Sequence, residues 1–182
     1  MVGYKIALIR GDGIGPEVVS VALEVLEAVG FYAEFVEIDA GLEYFKKTGK
    51  PIEEGAIATI RSCDALFKGP LATPIGGGYE SINVALRREL GLFANVRPFR
   101  SLDGISLHRD FDVVLIRENT EGLYSGSEVS DDEVAVAFRV VTKAGCERLF
   151  KFAFEYALER GRKKIAVVHK ANILKKSDGL FR

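Results

Sequence analysis

Short apolar runs alternate with helix-like stretches over the N-terminal third of the chain, and this alternation restricts the possible folds. Lys5–Arg10 is almost continuously apolar and ends at a Gly-Asp-Gly turn, which predicts a strand covered on both faces. A helix follows up to Gly30, Phe31–Ile38 predicts a second strand, and Ala65–Phe67 predicts a third. Because parallel strands need crossover connections, this order predicts an α/β fold with a mainly parallel sheet.

The rest of the chain continues the mixed pattern. The strands predicted there are Leu92–Pro98, Asp112–Ile116, Val134–Thr142 and Ile165–Val168. The apolar residues of Gly145–Arg160 recur on one stripe, which predicts a long helix. Ser101–Gly104 is a plausible crossing point into another domain, so we divide the chain near residue 100.

Charge, hydropathy and cysteine content exclude several classes of protein. The chain has 182 residues, 25 of them basic and 26 acidic, so it has no overall excess of positive charge for nucleic acid. Its apolar runs are far shorter than a membrane span, and its N-terminus has no signal-peptide pattern. Two cysteines are too few for a disulfide framework or a metal knuckle. We therefore expect a cytoplasmic protein that binds neither nucleic acid nor membrane.

A glycine-rich turn, Gly11–Glu17 (GDGIGPE), joins the first predicted strand to the first helix. Backbone amides at such a turn can face a phosphate or a carboxylate. The spacing of the third glycine and the position of Pro16 do not fit a dinucleotide-binding fingerprint. A tight turn without a ligand explains the same residues equally well.

Ser81, Asn83 and Arg87 lie at or near the start of a predicted helix, and Arg97 and Arg117 lie near the ends of predicted strands. Open α/β sheets bind ligands at strand ends, and guanidinium groups bind carboxylates through paired hydrogen bonds. These arginines would suit a polycarboxylate. Scattered arginines are more often solvated surface residues, and that alternative stays open from the residues alone.

Two further stretches each present one chemical group shortly after a predicted strand. Tyr124 lies in the turn-rich segment Glu118–Gly126, and Lys170 follows Ile165–Val168. A desolvated lysine can act as a general base, although a lone lysine in this position is more often a surface residue.

Five motifs in order along the chain resemble the β-hydroxyacid oxidative decarboxylases, the isocitrate, isopropylmalate and homoisocitrate dehydrogenases. They are GDGIGPE (Gly11–Glu17), KGPLATPIGGG (Lys68–Gly78), SINVALRRELGLFANVRP (Ser81–Pro98), RENTEGLYSG (Arg117–Gly126) and HKANILKKSDGLF (His169–Phe181). The resemblance is to isocitrate dehydrogenase above all. It implies the isopropylmalate dehydrogenase-like two-domain fold, which is not a Rossmann fold. Residues 1–100 then form the first segment of the large domain and 101–182 the first part of the small domain, and the remainder of both domains is expected beyond this chain.

The resemblance also implies a role for each candidate residue. Lys170 is the base, contributed across a dimer interface, and Tyr124 is the acid. Arg87, Arg97 and Arg117 hold substrate carboxylates, while Ile14, Thr73 and Asn172 lie where the family contacts its cofactor. Residues 127–142 correspond to an arm that clasps a second copy in a homodimer with shared active sites.

Ser81 and Asn83 decide the substrate that the resemblance implies. Isocitrate dehydrogenases bind a γ-carboxylate with a serine and an asparagine there, whereas isopropylmalate enzymes have apolar residues. We therefore expect oxidation of isocitrate to 2-oxoglutarate, as in the tricarboxylic acid cycle. The alternatives are homoisocitrate or 3-isopropylmalate dehydrogenase, or a non-catalytic regulatory subunit.

The cofactor implied is NAD, with NADP possible, and the metal implied is Mg²⁺ or Mn²⁺. We predict no metal ligand in this chain, because the family's ligands correspond to positions beyond residue 182. The 182 residues alone are accordingly expected to be inactive.

Overall fold

A computed structural model describes residues 3–74 and 78–182 of the chain. Residues 1–2 and 75–77, which include part of the motif Lys68–Gly78, lie outside the described residues. The chain divides into two compact units, one ending at Leu90 and the other beginning at Gly91.

The first unit contains a three-stranded parallel sheet with β1 (Tyr4–Ile9) between β2 (Ala33–Glu37) and β3 (Ala65–Lys68). Leu8 of β1 pairs in register with residues of both neighbouring strands. Leu8 and Ile9 are fully buried. This central position explains why the first apolar run is continuous, and it confirms the predicted parallel sheet.

Four helices accompany this sheet: α1 (Gly15–Ala28), α2 (Leu42–Thr48), α3 (Ala56–Arg61) and α4 (Ile82–Glu89). The core joins apolar residues of β1, α3 and α4 with Ile38, and its buried members are Ala7, Ile9, Ile38, Ala56, Ile60, Ile82 and Leu86. Helix α4, which carries several candidate site residues, is therefore anchored to the central strand through its apolar face.

The second unit pairs β4 (Ala94–Arg100) with β5 (Asp112–Glu118) in an antiparallel ribbon. A short hairpin follows, formed by β6 (Glu128–Ser130) and β7 (Ala135–Ala137). Helix α5 (Lys143–Glu159) is the longest element of this unit, and α6 (Ser177–Phe181) ends it. In the described ranges, no helix combines the length and the apolar character needed to cross a lipid bilayer.

Two predicted strands differ from the structure. Ile165–Val168 has no strand conformation and no backbone ladder within the described residues, because an apolar run becomes a strand only where a neighbouring strand pairs with it. Of Val134–Thr142, only β7 is a strand. Val140 forms an isolated bridge with Gly122, and Thr142 is the N-cap of α5, so the C-terminal part of that segment serves other contacts.

Candidate functional site

Asp12 fixes the glycine-rich turn to two other segments of the first unit. Its buried carboxylate accepts hydrogen bonds from the backbone N–H groups of Leu42 (3.0 Å), Glu43 (3.3 Å) and Ala72 (2.8 Å). Its own N–H donates to the carbonyl oxygen of Pro70 at 2.7 Å. The turn, the start of α2 and the loop after β3 are thereby held together at one edge of the sheet.

Two glycines allow the backbone segments that follow β1 and β3 to approach each other closely at this edge. A Cβ atom on Gly11, whose φ is +85°, would lie 2.1 Å from the carbonyl oxygen of Pro70. A Cβ atom on Gly69 would lie 2.1 Å from the carbonyl oxygen of Arg10. Side chains at either position would separate the ends of β1 and β3, so the tight edge requires glycine.

Ile14 and Thr73, the predicted cofactor residues of this unit, both lie exposed at this edge. The Gly15 N–H already donates to the carbonyl oxygen of Asp12, and Pro16 has no N–H, so this helix start offers few amides to a phosphate. Ile14 therefore offers an exposed apolar side chain, and Thr73 an exposed hydroxyl, to a cofactor that binds at this edge.

Lys68 and Arg87 bring two positive charges near each other in the first unit. Lys68 ends β3, is half-buried, and donates from Nζ to the carbonyl oxygen of Gly69 at 2.7 Å. Burial lowers the pKa of the Lys68 amino group, and the charge of Arg87 lowers it further. Neither side chain forms a salt bridge within the part of the chain that the structure describes. An anion between them would relieve this repulsion.

Helix α4 groups three predicted substrate residues. Ser81 is its N-cap residue, and Asn83 and Arg87 lie one turn apart on the helix. The Ser81 side chain makes no capping hydrogen bond among the described residues, so its hydroxyl does not serve the helix. Helix α4 therefore carries a hydroxyl, an amide and a guanidinium group, and the guanidinium of Arg87 lies near Lys68.

The ribbon of β4 and β5 groups two further arginines. Arg117 pairs with Asn95, and Arg97 lies two residues further along β4, so both arginines lie on the same face of the ribbon. The Arg117 guanidinium donates to the Tyr124 hydroxyl at 2.5 Å, and its central carbon lies 5.1 Å from the centre of the Tyr124 ring. The structure thus brings a predicted carboxylate-binding residue into contact with the predicted acid.

Lys170 and Asn172 lie exposed on a turn in which the Leu174 N–H donates to the Lys170 carbonyl oxygen at 2.8 Å. Asp178 anchors this turn. Its carboxylate, 4% exposed, accepts a hydrogen bond from the Lys170 N–H at 2.5 Å and forms a salt bridge with Arg139. Lys170 is therefore fixed through its backbone, and its side chain is exposed.

These contacts predict how stability responds to acid. The hydrogen bond from the Lys170 N–H and the charge of Arg139 hold the pKa of the Asp178 carboxyl below its ordinary value of 3.8. The stability that the carboxylate contributes is therefore present above pH 3.8 and is lost as the pH falls through the lowered pKa. We expect the melting temperature of Asp178→Asn to lie below that of the parent at pH 6, with the difference shrinking toward pH 2. A difference of the same size at both pH values would contradict this.

Residues 5–182 match the sequence model of the family described as isocitrate/isopropylmalate dehydrogenase. The chain belongs to this family. The match covers all but the first four residues, so it includes every candidate residue named above. The fold, an α/β structure with a parallel sheet, agrees with that of its solved relatives.

Three known proteins illustrate the similarity. A 3-isopropylmalate/3-methylmalate dehydrogenase of Methanocaldococcus jannaschii is 45% identical over 98% of this chain and 54% of its own length. The probable alpha subunit of a mitochondrial NAD isocitrate dehydrogenase of Drosophila melanogaster is 44% identical over 97% of this chain and 48% of its own. The crystal structure of isocitrate dehydrogenase from Methylococcus capsulatus is 47% identical, with a TM-score of 0.91, over 98% of this chain and 54% of that one. The chain thus spans about half the length of these relatives.

The names of isocitrate/isopropylmalate dehydrogenase relatives differ in substrate, so membership alone leaves the substrate to be decided by the site. Within residues 3–74 and 78–182, no group of three or more His, Cys, Asp or Glu side chains is placed to hold a metal ion. Sequence reasoning assigned no role to Lys68, although its position at the end of a strand, before Gly69-Pro70, was a usable signal.

Proposed function

We propose that this chain carries the substrate-binding and proton-transfer residues of an NAD-dependent isocitrate dehydrogenase. The observation that carries the proposal is helix α4, which begins after Ser81, carries Asn83 and Arg87 one turn apart, and has Arg87 near the half-buried Lys68. Isocitrate has three carboxylates, and a polar, positively charged site suits the carboxylate that distinguishes it from 3-isopropylmalate. An isopropyl group in the same place would leave the hydroxyl and the amide without partners, which is unfavourable when water is excluded.

The second candidate substrate is homoisocitrate. It carries the same three carboxylates with one additional methylene group, and the same polar residues would suit it. A single methylene group changes the transition-state energy by only about 1–3 kcal/mol, so the two substrates differ by about 10- to 200-fold at most. The charges of the site support both compounds over 3-isopropylmalate.

The proposed reaction needs one base, one acid and binding groups for the carboxylates. Arg87, Arg97 and Arg117 bind carboxylates, and Lys170 accepts the proton of the substrate hydroxyl. Ile14, Thr73 and Asn172 would contact NAD, which when bound would supply the acceptor for the hydride of the carbon that bears the hydroxyl. The resulting β-keto acid loses carbon dioxide, and the enol that remains takes a proton on carbon.

Tyr124 supplies that last proton. The Arg117 guanidinium donates to its oxygen at 2.5 Å, so positive charge lies beside the phenolate that remains after the transfer. Solvent then returns a proton to the tyrosine. The balanced reaction is isocitrate and NAD⁺ to 2-oxoglutarate, carbon dioxide and NADH. We also propose that the reaction uses Mg²⁺ or Mn²⁺, which residues outside this chain would hold.

The proposal also includes a homodimer with Lys170 acting in the partner's site. The hairpin of β6 and β7 supports it, because Val129 and Val136 on its strands, and Phe138 directly after β7, are exposed apolar residues. Residues 127–142 are the proposed clasp arm. We further propose residues 1–100 as part of a large domain, 101–182 as part of a small one, and the cytoplasm as the location.

The direct test joins residues 1–182 in frame to the corresponding C-terminal part of the Methylococcus capsulatus enzyme, since the two are 47% identical here. The chimera and the 182-residue chain are assayed in parallel with isocitrate, Mg²⁺ and either NAD or NADP. We expect the chimera to release carbon dioxide and NADH in equal amounts. A folded, dimeric chimera without turnover, or one that oxidises isocitrate without releasing carbon dioxide, would overturn the proposal.

Replacing Tyr124 by Phe should separate the two halves of the reaction. Hydride transfer should remain measurable, because Lys170 is unchanged, whereas protonation of the enol should slow by about 10²- to 10⁴-fold. Rapid-mixing experiments with the chimera should therefore show a burst of NADH followed by slow turnover. Steady-state turnover equal to that of the parent would refute the role of Tyr124.

A further inference from the structure

The half-buried carboxylate of Glu121 connects the turn that presents Tyr124 to the start of α5. Oε2 accepts a hydrogen bond from the Thr142 N–H at 3.0 Å, and Oε1 accepts one from the Thr142 hydroxyl at 2.5 Å. The same Thr142 oxygen accepts a hydrogen bond from the Gly145 N–H at 3.0 Å, which caps the helix. Glu121 is thus hydrogen-bonded to Thr142, the N-cap residue of α5.

The first turn of α5 is shaped to receive this carboxylate. A Cβ atom on Gly145 would lie 2.3 Å from Oε1 of Glu121, so any larger residue would displace the carboxylate. Glycine is otherwise unfavourable inside a helix, by about 1 kcal/mol relative to alanine. A residue of low helix propensity therefore occupies the position of α5 that lies against the Glu121 carboxylate.

The segment before Tyr124 is fixed by further contacts. The Glu121 N–H donates to the carboxylate of Glu118 at 2.6 Å, and Gly122 and Val140 exchange backbone hydrogen bonds of 2.8 and 3.2 Å. Leu123–Ser125 forms one turn of 3-10 helix directly after these anchors. The position of the Tyr124 hydroxyl beside Arg117 therefore depends on how this segment is held.

We propose that Glu121 is a positioning residue for Tyr124. This inference rests on the proposed function, because it concerns the acid of that reaction. Glu121 makes its contacts with Thr142 and the start of α5, and it acts by fixing the turn from which Tyr124 reaches the Arg117 guanidinium. Loss of the contact between Glu121 and Thr142 should therefore slow the step that needs Tyr124 and leave the other steps unchanged.

The most informative variant is Gly145→Ala, which displaces the carboxylate of Glu121 without altering Glu121 itself. Alanine favours the helix, so the melting temperature should not fall, yet kcat of the chimera should fall about 10-fold or more, because a misplacement of ~1 Å can cost on the order of 10²-fold. The rate constant of NADH formation in the first turnover should stay as in the parent, because hydride transfer does not need Tyr124. The matched control is Glu147→Ala, an exposed residue of the same helix that pairs with Lys143 at 3.6 Å, which should keep the parent's kcat.

A double-mutant cycle separates positioning from other effects. In the Tyr124→Phe background, Gly145→Ala should have no further effect on kcat, because the group it positions is gone. An equal loss in both backgrounds, or parent kcat in Gly145→Ala alone, would overturn the inference and leave the proposed function intact. Parent turnover of Tyr124→Phe would instead refute the function on which the inference rests.

A second pair of variants and a measurement without turnover complete the test. Thr142→Val removes the hydroxyl that donates to Glu121 and should lower kcat as Gly145→Ala does, whereas Thr142→Ser should keep the parent's kcat.

In the 182-residue chain, the ring signals of Tyr124 in the NMR spectrum, assigned with Tyr124→Phe, should shift in Gly145→Ala and not in Glu147→Ala. Unchanged Tyr124 signals in Gly145→Ala would contradict the inference independently of any assay.

Discussion

Replacing Lys170 by Met should lower the rate of substrate oxidation by about 10⁴-fold, which is the largest effect that we expect from any single change. Methionine has similar length and no basic group, so the proton of the substrate hydroxyl has no acceptor. The contact with Asp178 uses the backbone N–H of residue 170, so the turn should keep its structure in the variant. Rapid mixing of the chimera with isocitrate and NAD should show no burst of NADH.

The absence of the burst distinguishes this variant from Tyr124→Phe, in which hydride transfer continues. Lys175→Met is the matched control, since Lys175 is an exposed lysine of the same segment, and it should behave like the parent. A Lys170→Met enzyme that reduces NAD at the normal rate would refute the assignment of the base.

The second large effect concerns Ser81. Replacing it by Glu should lower kcat/KM for isocitrate by about 10³-fold or more, because a carboxylate would then face the substrate carboxylate with little water between them. The fold should tolerate the change, since the Ser81 side chain makes no capping bond and a negative charge is favourable at a helix N-terminus.

Ser81→Ala is the control for this variant. It removes the hydroxyl without adding charge and should therefore cost much less than Ser81→Glu. Steady-state kinetics of both variants, with melting temperatures to verify folding, provide the comparison. Equal kcat/KM for isocitrate in Ser81→Glu and the parent would exclude the assigned role of Ser81.

The parts of the fold that the sequence predicted correctly are those determined by local pattern. Ile6–Ile9 is continuously apolar because β1 is the buried central strand of the sheet, so a local pattern was enough to predict it. Ile165–Val168 has an equally apolar pattern but forms no strand, since pairing depends on a partner that a local pattern does not specify.

In the site, too, the sequence indicates which residues are candidates but not which of them are in contact. Motifs gave Arg117 and Tyr124 as candidates, but only the folded turn brings the guanidinium to the hydroxyl. Lys68 was missed because its significance lies in its burial beside Arg87, which the sequence does not state. Glu121 was missed because its partner Thr142 lies 21 residues along the chain.

The selection of isocitrate is tested most directly by measuring kcat/KM of the chimera for isocitrate, homoisocitrate and 3-isopropylmalate under identical conditions with NAD and Mg²⁺. If Ser81, Asn83 and Arg87 bind the third carboxylate, isocitrate should have the highest value, and 3-isopropylmalate should be lower by at least about 10²-fold. A higher kcat/KM for 3-isopropylmalate than for isocitrate would contradict the account.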